Sequence, residues 1–158
     1  MIYLLFYVGN LMTTSFEFDY FIKFSQKLLE NKQDIVEDNF QCVYRTILSR
    51  VYYSAFHHAK YWLEINYNFK TQEFNFETGK LQNKNGLSEH VQVFKELRSI
   101  AKDQKDLKNQ FRNASSKLEY LFDKRIDADY HEDLTFEEIE VTDAIENAIY
   151  IIKLLPFN

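Results

Sequence analysis

A chain of 158 residues with 46% apolar residues can bury a full core in one domain. Its three glycines and one proline leave a barrel or sandwich of short strands without turn-formers and are too few for a glycine-rich phosphate loop. Nineteen Lys and Arg against 24 Asp and Glu give a net charge of −5, the opposite of the footprint of a dedicated duplex binder.

The single cysteine, Cys42, excludes an internal disulfide and a cysteine-rich zinc site, and is compatible with a reducing cytoplasm. No run reaches the roughly 18 apolar residues of a membrane span, so a soluble cytoplasmic protein without membrane contact is expected. Residues 1–14 read as an N-terminal extension and 15–158 as one helical domain. The stretch before Met12 leaves two readings open. It is either upstream of the true start, or a segment whose Ile2, Leu4, Leu5 and Phe6 dock onto the core or a second subunit.

The pattern predicts five helices. Thr14 or Ser15 caps the first, and Phe18, Phe21, Ile22, Leu28 and Leu29 form its apolar face up to about Asn31. The second, from about Asn39 to Tyr67, places Val43, Ile47, Leu48, Val51, Ala55, Ala59, Trp62 and Leu63 at helical spacing over roughly 40 Å. Residues 70–86 break the pattern with Gly79, Asn83, Asn85 and Gly86 and read as a long connection, with Phe74 and Phe76 folded back over something apolar. Ser88 caps the third helix, whose buried side is Val91, Phe94, Leu97 and Ala101. The fourth runs through Leu107, Phe111, Ala114, Leu118 and Leu121, and the next member of that series is Arg125, a charge in core register that needs a partner or a cleft. After a loop from Asp127 to Leu134, Thr135 and Glu138 form a capping box opening the last helix, which Pro156 ends. The expected architecture is an all-α, five-helix antiparallel bundle around one long central helix.

Two constellations carry potential chemistry. On the long helix Arg50, Ser54, His57, Tyr61 and Glu64 lie within about 40° of one line, opposite the Ala55, Ala59 and Trp62 seam. This stripe either recognises a phosphate and moves protons, or is a polar seam between packed helices. The second is Arg125-Ile126-Asp127-Ala128-Asp129-Tyr130-His131. Arginine can stabilise phosphorane charge and histidine can transfer protons near neutral pH; alternatively Arg125 ties Asp127 or Asp129 across the helix end. Tyr53, Tyr61 and Tyr130 accompany these candidates, whereas His58 and His90 read as surface or satisfied helical residues. His131-Glu132-Asp133 lacks metal-ligand spacing, so no metal or other cofactor is expected.

These stretches resemble a family. The run from Tyr44 to Ala59 contains Ser49-Arg50-Val51-Tyr52-Tyr53-Ser54-Ala55-Phe56-His57, which resembles the Ser-Arg-x-Tyr-Tyr-x-x-Phe-His helix of HEPN domains (higher eukaryotes and prokaryotes nucleotide-binding). Arg125-Ile126-Asp127-Ala128-Asp129-Tyr130 is similar to the Arg-x-x-Ala-Asp-Tyr segment of small stand-alone bacterial and archaeal members. The resemblance spans about Phe16 to Leu155. It implies a bundle that often forms homodimers and, in many members, metal-independent endoribonuclease activity through Arg-x(4 to 6)-His. Arg125 and His131 fit that spacing as the catalytic pair, and Arg50 and His57 fit it numerically. It further implies RNA or a nucleotide as ligand, with Arg50, Tyr53, His57, Tyr61, Asp129 and Tyr130 as binding residues. A minimal nucleotidyltransferase antitoxin or an antiphage-defence partner is also implied. The chain has Ile126 where catalytic members carry a polar residue, and Asp133 where nucleotide-modified members carry a tyrosine. Two readings therefore stand: a ribonuclease-type toxin or defence component, and a non-catalytic module binding a nucleotide or a partner protein.

Overall fold

The register from Val43 to Leu63 contains no helix breaker, and it folds as the longest helix of the protein. The computed structural model describes residues 18–157. In chain order the helices are α1 (Asp19–Glu30), a single turn α2 (Lys32–Ile35), α3 (Gln41–Tyr67), α4 (Glu89–Asp103), α5 (Lys108–Tyr130) and α6 (Glu138–Leu154). Helix α3 packs along α1, α5 and α6, while α4 lies chiefly on α5. Val43, Ile47, Leu48, Val51, Ala55, Ala59, Trp62 and Leu63 are all buried, together with Phe111, Ala114, Leu118 and Leu121 of α5 and Val141, Ala144, Ala148 and Ile151 of α6. The driving force is removal of this apolar surface from water, at about 25 cal/mol per Å². Among the described residues no helix is long and apolar enough to cross a membrane.

Ser88 caps α4, its hydroxyl accepting from Val91 N. Asn68 ends α3 in the left-handed conformation (φ 49°), which asparagine tolerates better than most side chains. The expected Thr14 or Ser15 cap, and both readings of residues 1–14, lie outside the described residues.

The chain is not wholly α-helical. Residues 70–86 hold an antiparallel hairpin, β1 (Gln72–Asn75) and β2 (Lys80–Asn83), with Phe74 opposite Leu81. Asn75 Oδ1 accepts from Glu77 N and Thr78 N, and Gly79 completes the turn at φ +66°, a region that glycine enters without strain. Phe74 and Phe76 do not fold back over the core: they are 51% and 91% exposed and pack edge to face on each other.

Two helix boundaries also depart from expectation. The capping box of α6 uses Glu137 and Glu140, with Glu137 N donating to Glu140 Oε2 (2.9 Å), instead of Thr135 and Glu138. The start moves because the Gln41 amide exchanges two 2.8 Å hydrogen bonds with the backbone of buried Phe136, holding that residue outside the helix. Helix α5 continues to Tyr130, so Asp127–Tyr130 are helical rather than loop. Arg45 from α3 secures that end: its guanidinium donates to Ala128 O (2.7 Å), His131 O (2.9 Å) and Leu134 O (2.6 Å), satisfying carbonyls that a helix terminus leaves without partners.

Candidate phosphate-binding site

Extending α5 to Tyr130 decides the surroundings of Arg125. Asp129 stands one turn further on, and Arg125 Nε lies 2.7 Å from its Oδ2. That contact is an ion pair without aligned hydrogen-bond geometry. Arg125 Nη2 donates to Tyr53 Oη of α3 (2.7 Å), and the guanidinium carbon lies 5.2 Å from the ring centroids of both Tyr53 and Tyr130. Burial opposes the charge of Arg125, but hydrogen bonding to Tyr130 and the influence of Tyr53 and Asp129 outweigh it, and its pKa lies above the ordinary value. Guanidinium over aromatic faces is a favourable electrostatic contact. This arginine in core register is thus largely withdrawn from solvent and electrostatically satisfied.

Arg50 lies over the same ring. Its guanidinium carbon is 5.7 Å from the Tyr53 centroid, its side chain is exposed, and its one hydrogen bond among the described residues is a 3.4 Å contact with Ser49 Oγ. No carboxylate pairs with it among the described residues. Arg50, Tyr53, Ser54 and His57, joined by Phe21 of α1, line a cavity of about 410 Å³. Ser54 is buried and donates to Phe18 O (2.7 Å). His57 is exposed at its edge but stacks between Phe18 and Tyr53, with centroid distances of 6.3 and 6.0 Å. This partial desolvation, with Lys60 nearby, lowers its pKa, so the imidazole is neutral near pH 7.

Tyr61 and His131 stand apart from this group. The Tyr61 ring packs on Phe157, 5.4 Å away. His131 is the residue after α5; its carbonyl is held by Arg45, its side chain is exposed, and among the described residues no hydrogen bond, ion pair or ring contact joins its ring to Arg125. Tyr130 is 65% exposed and, among the described residues, meets the cluster through Arg125. Among the described residues no three His, Cys, Asp or Glu side chains converge as metal ligands.

The histidine that the fold brings toward Arg125 is His90, at the start of α4. Its Nδ1 shares a 2.5 Å hydrogen bond with the hydroxyl of Tyr52, whose side chain is wholly buried. Its ring packs on Phe56 and Phe122. Burial first, and then the charge of Arg125, push its pKa down. Sequence alone shows His90 only as the second residue of a capped helix, and its sole advance signal is the Ser88 cap two positions earlier, which orients that first turn. His58 is a buried histidine whose Nε2 donates to Leu155 O (2.7 Å).

The result is a layered cluster: Asp129 and Tyr130 behind Arg125, Tyr53 shared by two guanidinium groups, and Arg50 and His57 facing an open cavity. A phosphate can accept from the Arg50 fork and from Tyr53 or His57, while the stacked rings offer a surface to a nucleobase. No protein-family model matches the chain, and no curated protein or solved structure shows a significant match to it.

Proposed function

We propose that this protein is a HEPN-like helical module that binds the phosphate of a nucleotide or of RNA at the cavity lined by Arg50, Tyr53, Ser54 and His57, and that it acts by binding rather than by cleavage. The observation carrying this reading is the division of labour around Tyr53. Arg125 is compensated by Asp129, whereas Arg50 has no carboxylate among the described residues and borders open space. The ribonuclease reading based on Arg125 and His131 draws no support from their surroundings, because Arg125 is engaged and the His131 ring makes no contact with it. A second, catalytic reading has one observation in its favour: His57 lines the Arg50 cavity and is held toward the neutral form, as a general base requires. A homodimer, or a nucleotidyltransferase or defence partner, belongs to the same family-based reading and would cover or complete this face.

The deciding experiment is titration of the protein with a mixed RNA pool and with mononucleotides in the presence of chelator, following binding and chain length together. Binding without cleavage, weakened about tenfold or more by Arg50→Ala, is the expected outcome. Cleavage lost in His57→Ala would move the protein to the second reading, and cleavage lost in His131→Ala would restore the Arg125 and His131 pair.

A further inference from the structure

A second surface, separate from the Arg50 cavity and not requiring it, lies where the hairpin joins the bundle. There a cavity of about 350 Å³ is bordered by Tyr67 and Phe69 and by Lys70, Lys84 and Lys95, with Glu96 the one acidic residue among its described lining residues. Three cations to one anion is a local inversion of a chain whose net charge is −5.

The cavity is built on anchored backbone. Lys84 N donates to Thr71 O (2.9 Å), closing the hairpin base. Buried Gln92 of α4 donates to Thr71 O (3.0 Å) and Leu87 O (2.8 Å), and Thr71 Oγ1 donates to Glu89, which also pairs with Lys60 of α3. The hairpin is thus tied at its base to α4, and through Glu89 to Lys60 of α3.

From this base the strands project toward Phe76. Phe74 lies on β1 with Leu81 directly opposite it, and Phe76, the first residue of the turn, sets its ring against that of Phe74. Phe74, Phe76 and Leu81 are exposed, at 51%, 91% and 64%, and the two phenyl rings are held edge to face with centroids 5.1 Å apart. Glu73, one residue from Phe74, points to the other face, where it accepts from Gln82. Strand β1, Gln72–Asn75, spans roughly 10 Å at about 3.3 Å per residue, a distance a few nucleotides cover.

We propose that this surface binds single-stranded nucleic acid, with bases stacking on Phe74 and Phe76 and the phosphodiester backbone passing over Lys70, Lys84 and Lys95. Aromatic rings projecting beside a cationic groove are the recurring means of holding single strands without reading sequence. A folded duplex does not suit it, because stacked bases present no open faces to the rings.

The test uses the intact protein and a fluorescein-labelled oligouridylate of about twelve nucleotides, within the span that such surfaces occupy, with an oligothymidylate of the same length as a second probe. The double variant Phe74→Ala/Phe76→Ala is expected to weaken strand binding by at least about tenfold, as loss of base stacking does. Binding of uridine monophosphate at the Arg50 cavity should be unchanged. The double variant Lys84→Gln/Lys95→Gln should lower the slope of log affinity against log salt by about 1.4, from about 0.7 per phosphate contact. Comparable binding of both probes identifies stacking and backbone contacts, and a preference for the ribose strand adds contacts to the 2′-hydroxyl; both outcomes support the proposal. It is overturned if wild type binds neither probe, if both double variants bind as wild type does, or if only Arg50→Ala abolishes strand binding. That last result would assign strand handling to the other cavity.

Discussion

Arg50 and Arg125 both lie over one aromatic ring, their guanidinium carbons 5.7 and 5.2 Å from the centroid of Tyr53. Two like charges on one phenol repel unless something neutralises them, and Asp129 neutralises only Arg125. A phosphate beside Arg50 would complete the balance, so ligand affinity and the integrity of the Arg125 pair are linked through Tyr53.

Replacing Tyr53 separates these roles. Tyr53→Phe keeps the ring and removes the acceptor for Arg125 Nη2, which should cost about 1–2 kcal/mol of stability, as for a hydrogen bond to a charged donor. Tyr53→Ala removes both guanidinium contacts and should also reduce nucleotide affinity. Chemical denaturation read beside nucleotide titration checks both, and equal affinity in Tyr53→Ala and wild type would sever Tyr53 from the site.

Arg125→Ala leaves Asp129 without its partner and strips the Tyr53 and Tyr130 faces of their cation. A loss of about 1–2 kcal/mol is expected, because Arg125 is half-buried but Asp129 is exposed and solvent replaces part of the pair. Arg125→Lys should recover little of it, because an ammonium cannot span Asp129 and the Tyr53 hydroxyl with a planar fork. Urea midpoints of the two variants provide the measurement.

Arg45→Ala should destabilise by about 2 kcal/mol, lowering Tm by roughly 4–8 °C in a chain of this size. The carbonyls of Ala128 at the end of α5 and of His131 and Leu134 beyond it lose this donor. Hydrogen exchange should accelerate around residues 127–134 before the core of α3 responds; uniform acceleration would contradict the local role.

Stability should fall as pH drops below about 6.5, the ordinary histidine value. The folded pKa of His90 is depressed by burial and by Arg125, so the unfolded chain binds more protons in that window, and stability rises with pH through it. Glu89, His57 and Lys60 also act on this ring, Glu89 opposing the shift. His90→Gln, which keeps an acceptor for Tyr52, should reduce the slope below about pH 6.5 without abolishing it, because His57 is also held below its ordinary value. An unchanged slope would locate the effect elsewhere.

Phe76→Ala should alter stability by less than about 0.5 kcal/mol, since a ring that is 91% exposed buries little on folding. Thermal melts of this variant also show whether a binding defect in it reflects a folded protein.

The helices were legible because helix formation is local: the apolar register of α3, the Ser88 cap and the seam of α5 are periodic signals within short windows. The hairpin was not, because its strands, Gln72–Asn75 and Lys80–Asn83, are four residues each and mostly polar, and it depends on the Asn75 turn and on ties from Thr71 to Gln92. The stripe of Arg50, Ser54 and His57 could be read from helix geometry, but Tyr61 left it because the chain end brings Phe157 over that ring.

Sequence by itself determined a helical chain with one long central helix and a polar line along it, since each follows from spacing at 100° per residue. It also marked Arg125 as a charge in a core register. Only the tertiary structure decided what that charge meets. Arg45, far away in the chain, extends α5 to Tyr130, and the added turn sets Asp129 beneath Arg125. His131 stays exposed past the helix end, while packing of α4 brings His90 toward the cluster. Sequence separation measures neither contact, because an ion pair or a buried imidazole depends on which elements pack together.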